Sequence, residues 1–159
     1  MERREQITQF RAARYGLVMA VRQILPEKRD EKLVGEWGIQ ELMAHISGWD
    51  DLTARTLEDF LQGKTTKLEE QEDFNQQAVK KRGGMEWEGR EAEFEAVGIA
   101  LLGVYLAVPE EKWQEPVFEG SDLTPSGIID EDIRHYRDEH LPQILAWLGI
   151  ISKTTYNTE

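Results

Sequence analysis

The chain has 159 residues, enough for one domain with its own core, and no cysteine, which excludes disulfides, thiolate metal sites and a cysteine nucleophile. Its 31 acidic residues outnumber 19 basic ones and give a formal charge of -12, a field that repels phosphate backbones and anionic lipid surfaces, so nucleic-acid and membrane partners are not expected. The N-terminus lacks the apolar centre of a signal peptide, and the longest apolar run, Val97 to Val108, is too short to cross a bilayer. A soluble, cytoplasmic protein is the expectation.

Ile7, Phe10, Leu17, Val18, Val21 and Ile24 recur at three-four spacing and predict a first helix over residues 3–25, which Pro26 ends. The charged stretch 27–36 reads as an irregular connection anchored by Leu33 and Val34. A second helix follows over 38–62, with apolar residues at 39, 42, 46, 49, 52 or 53, 57 and 60 and Gly63 as its stop. Residues 64–84 are mostly polar, apart from a short amphipathic piece at 73–79 that predicts a minor helix across the bundle. The third long helix spans 88–108, with Phe94, Val97, Leu101, Val104 or Tyr105 and Val108 inward, acidic residues in its first half and Pro109 at its end.

Loop signals run from 110 to 123, with Trp113 and Phe118 as anchors. Thr124-Pro125 opens a fourth helix, because threonine caps and proline needs no partner for an N–H it lacks. That helix extends to Leu148, turning Ile129, Ile133, Tyr136, His140, Ile144 and Trp147 or Leu148 inward. Pro142 inside it costs a backbone bond and imposes a bend. No alternating strand pattern and no repeat competes, so the expected fold is an all-α four-helix bundle over 1–152, with a short extra helix between helices two and three and a polar tail at 153–159.

Two inward histidines stand out. His45 lies three residues after Leu42 and four before Trp49, on the edge of the buried stripe of helix two; His140 lies on that of helix four. Imidazoles from facing helices of a bundle can converge on one ion, and a catalytic metal site wants about three protein ligands and an open position. The residue four before His140 is Tyr136, a poor zinc ligand unless deprotonated. His135 is five before it, about 140° around a regular helix.

The phrase Trp37-Gly-Ile-Gln-Glu-Leu-Met-Ala-His45-Ile-Ser-Gly-Trp49-Asp50, the piece Asp73-Phe74-Asn75 with Ala78-Val79, and the phrase His135-Tyr136-Arg-Asp-Glu-His140-Leu-Pro-Gln-Ile144 together resemble the DinB/YfiT-like superfamily of metalloenzymes, in order and over most of the chain. The resemblance implies a four-helix bundle, a homodimer, and a divalent metal held by one histidine of helix two and two histidines four apart on helix four. It also implies, for some members, a thiol-dependent transferase or isomerase activity, as in mycothiol-dependent maleylpyruvate isomerase and bacillithiol transferases. His45 and His140 match ligand positions. Aligned on His-Leu-Pro-Gln-Ile, the remaining position falls on Tyr136, with His135 one step out of register.

A bound ion would activate water or a thiol as a Lewis acid. Imidazole ligands suit zinc, nickel or iron, and Asp50 and Glu139 are in sequence range to orient them. Trp49 would wall the pocket. The expected function is a metal-dependent enzyme acting on a small-molecule substrate, a thiol transferase or hydrolase in type, with His45, His140 and either Tyr136 or His135 at the metal. The alternative is a metal-free bundle that serves as a binding or dimeric interaction module, its histidines hydrogen-bonded in the core. No serine triad, phosphate-binding glycine loop or carboxylate pair directs the reading elsewhere.

Overall fold

The computed structural model describes residues 1–67 and 73–152. The polar tail and most of the acidic run at 69–73 lie outside them. Helix α1 covers Arg3–Arg22, and a short antiparallel ribbon, β1 (Lys32–Val34) with β2 (Trp37–Gly38), leads into α2 (Ile39–Leu61). Helix α3 (Phe74–Lys81) is the short connecting piece, and α4 covers Trp87–Ala107. The last helix is continuous but in three parts: α5 (Pro125–Arg134), a π-helical segment over His135–His140, and α6 (Leu141–Trp147). The molecule is an all-α bundle of four main helices with α3 between the second and third.

The ribbon corrects the reading of 27–36 as irregular. Two residue pairs across the turn at Gly35-Glu36 are too few to show an alternating pattern, yet the ribbon anchors the entry of α2 and packs on α6. Glu41 completes that entry by accepting the Gly38 backbone N–H at 3.2 Å, as a capping-box glutamate does. At the other end of the chain the Thr124 hydroxyl accepts the Gly127 N–H at 3.1 Å, with Pro125 in the first turn.

The core collects Phe10, Leu17, Leu42, Leu57, Phe94, Leu101, Ile129 and Ile144, all at most 1 % exposed. Each such side chain contributes roughly 1.5–3 kcal/mol relative to its exposed state. Val97, expected inward, is only half-buried; Gly98 takes that place on α4 because the Arg14 guanidinium crosses there. A Cβ on Gly98 would stand 2.6 Å from Arg14 Nε.

The packing order positions the site. α2 packs on α4 and α3, and α1 packs on α4 and along the last helix, whereas α2 and the last helix have no extensive direct packing. The space between those two is a cavity. No helix among the described residues is long and apolar enough to cross a membrane.

Candidate functional site

The cavity is about 300 Å³. α2 lines it with His45, Trp49, Asp50 and Thr53, and the last helix with Ile128, Asp132, His135, Tyr136 and His140; Asn75 of α3 and Phe118 and Leu123 of the loop before α5 close its sides. The Trp49 indole donates to Asn75 Oδ1 and its ring meets Phe74 edge-on at 4.9 Å, so α3 is fastened to the site through one tryptophan.

His45 and His140 meet in this cavity, ring centres 5.3 Å apart and nearly perpendicular. His135 joins them: its ring stacks on His140 at 6.0 Å with an angle of 17°. A regular α-helix would not place residues 135 and 140 together. Here the turn is closed by bonds to the fifth residue back, as in Leu141 N–H to Tyr136 C=O, so side chains five apart come to lie one above the other. Pro142, which lacks an N–H, sits just past the widened turn. The bend expected at Pro142 is thus expressed as a change of helical register that returns His135 to the face of His140.

The ring nitrogens are specifically engaged. His135 Nδ1 lies 3.0 Å from the Glu131 carbonyl and His140 Nδ1 3.0 Å from Gln143 Oε1. Bonds of that kind place the proton on Nδ1 and leave Nε2 with a lone pair. His45 Nδ1 is buried without a hydrogen-bond partner among the described residues, while the same ring rests on Trp37 at 5.2 Å.

Burial, followed by the neighbouring His140 imidazole, pushes His45 down to about 4, against the opposing pull of Asn75 and Glu139. Burial lowers His140 as well, with Gln143 and Glu139 opposing. Both rings are therefore neutral at neutral pH. A histidine held below its ordinary value favours folding fully above pH 6.5 and loses that contribution as pH falls toward 4. Replacement His45→Gln is expected to flatten the loss of stability across this window, read as the urea midpoint against pH; an unchanged acid limb would remove the assignment.

Behind the imidazoles runs a buried polar chain. The Tyr136 hydroxyl donates to Asp50 Oδ1, and Arg14 Nε and Nη2 both reach Asp50 Oδ2 at 3.0 Å. Burial raises the Asp50 carboxyl against the pull of Arg14 and the Tyr136 hydroxyl, and burial next to Asp50 raises the Tyr136 phenol well above its ordinary value. Tyr136, a candidate third ligand from the sequence, here directs its hydroxyl to Asp50. Asp50 lines the cavity but orients a guanidinium and a phenol, not an imidazole. Glu139 stays on the exposed flank, 3.7 Å from His135 Nε2 and 3.8 Å from Arg134, and does not line the cavity.

Arg14 and Asp132 escaped sequence reasoning, and Tyr105 was read only as an inward packing residue. Arg14 follows Phe10 by four and precedes Leu17 by three, so the periodicity that marks the core also marks it. Asp132 precedes Tyr136 by four on the inward stripe in the same way.

The imidazoles fit a metal only in part. Two rings on one tetrahedral ion with bonds of about 2.1 Å have centres roughly 5 Å apart, close to the His45–His140 separation. His135, however, turns Nε2 to within 3.4 Å of the Arg134 guanidinium, and among the described residues no group of three or more histidine, aspartate or glutamate side chains is placed to hold an ion. Comparison with protein-family models, with curated protein sequences and with solved structures returned no match.

Proposed function

We propose that the protein binds a small organic molecule in the cavity between α2 and the last helix, with its imidazoles free of metal. The observation that carries this reading is the cavity itself: a largely apolar enclosure into which neutral histidines, the buried Asp50 and the half-buried Asp132 converge, the usual make-up of a small-molecule site. The incomplete ligand set favours the metal-free form. Neutral His140, its Nδ1 proton spoken for by Gln143, offers Nε2 to a ligand donor.

A second reading is favoured by one observation, the π turn that sets His135 beside His140. In it the protein is a divalent-metal-dependent enzyme, a thiol transferase or hydrolase in type, as the resemblance to the DinB/YfiT-like superfamily implies. His45 and His140 would hold zinc, nickel or iron, with His135 as third ligand once its ring leaves Arg134. Such an ion supplies a water or thiol acidic enough to be a nucleophile at neutral pH.

Metal content separates the two. Purified wild type and His45→Ala are loaded with zinc, nickel and ferrous iron, dialysed and analysed. A metal-free wild type is the expected result. Stoichiometric metal in the wild type that is lost in His45→Ala would install the second reading in place of the first.

A further inference from the structure

One carboxyl group on the cavity wall has no ion-pair partner among the described residues. Asp50 has Arg14 at 3.0 Å and Glu131 has Arg134 at 2.8 Å. Asp132 takes part in no ion pair among the described residues, and its Oδ2 accepts the Tyr105 hydroxyl at 2.6 Å. No described Lys or Arg lines the enclosure, while Trp49, Phe118 and Tyr136 give it aromatic walls. Asp132 is half-buried; a carboxylate partly withdrawn from water gains from a cation that meets it, and aromatic faces attract cations.

Resting on the small-molecule reading above, the geometry points to a small organic cation as the ligand: an ammonium group on Asp132 with an apolar or aromatic body against Trp49 and Phe118. The volume of about 300 Å³ is at the lower end for small-molecule sites and suits a single-ring amine. The surroundings of Asp132 add a signature of their own. Burial, then Asp50 of α2, holds its carboxyl well above the usual range; Glu131 acts in the same sense, and Tyr105 of α4 and Arg14 of α1 oppose. An ammonium at Asp132 favours the carboxylate form and so opposes this upward shift.

The test is calorimetric titration of the chelator-treated full chain with phenethylamine, neutral 2-phenylethanol and anionic 3-phenylpropionate. Chelation matters because a bound divalent ion would reverse the local charge. Phenethylamine is expected to bind roughly tenfold tighter than the alcohol, the difference one charge-assisted hydrogen bond makes. The propionate should bind weakest. Asp132→Asn keeps an acceptor for Tyr105 and is expected to abolish the preference while leaving the alcohol unaffected. Equal or tighter binding of propionate, or a preference that survives Asp132→Asn, overturns the inference; if that variant does not fold, the wild-type order of the three probes decides. Binding without preference for the amine removes the cation and leaves the small-molecule site standing, whereas no binding by any probe removes both.

Discussion

Replacing Arg14 with methionine is expected to lower the unfolding free energy by about 3–5 kcal/mol, because it strips the cation from a buried ion pair and leaves the partner carboxyl in place. Arg14 and Asp50 are 5 % and 2 % exposed, and the guanidinium also lies 3.9 Å over the Phe94 ring. The residual carboxyl keeps only the Tyr136 hydroxyl. The pH dependence has a definite sign. Asp50 already titrates above its ordinary 3.8 in the folded protein, and without Arg14 it rises further. The folded state then binds the proton more tightly than the unfolded one, so the deficit is greatest above the folded value and shrinks as pH falls toward 3.8. Urea unfolding of both proteins across this range measures it. A loss below about 1 kcal/mol, the scale of an exposed pair, would show that the ion pair carries little.

The second large effect is expected at Gly48→Ala. A Cβ there would stand 2.5 Å from the Ala78 Cβ and 3.6 Å from its Cα. The obstruction is α3 itself and not the tip of a flexible side chain. α3 must move off α2, drawing Asn75 and Phe74 away from Trp49, at a cost of about 1–3 kcal/mol for overpacking. The companion change Ala78→Gly should restore most of it, since the two sites share one contact. A double variant no more stable than the single one would show that the close approach is not what Gly48 provides.

How much of this was readable in advance depended on the kind of interaction. Hydrophobic period located the four long helices to within a few residues, and it placed His45 and His140 on inward faces because burial repeats along the chain. The same period could have flagged Arg14 and Asp132, but a charged residue on an apolar stripe is easily read as a gap in it. Pairings between distant residues leave no such trace. Nothing near Gly48 or Gly98 announces that one meets a short helix and the other a guanidinium, since each looks locally like a weak helix former. Pro142 signalled a disturbance in the last helix without saying whether a kink or a widened turn would relieve it, and the place of His135 hung on that choice.

The widened turn has a further consequence for how the site can vary. Residues upstream and downstream of it are phased to the bundle independently, like two screws joined by a washer. Removing one residue between 135 and 140 would let the ordinary winding return with both ends undisturbed, and would leave the two imidazoles four positions apart. The composition of this wall can therefore be altered by changing chain length at a single point, a route to new chemistry that spares the packing on either side.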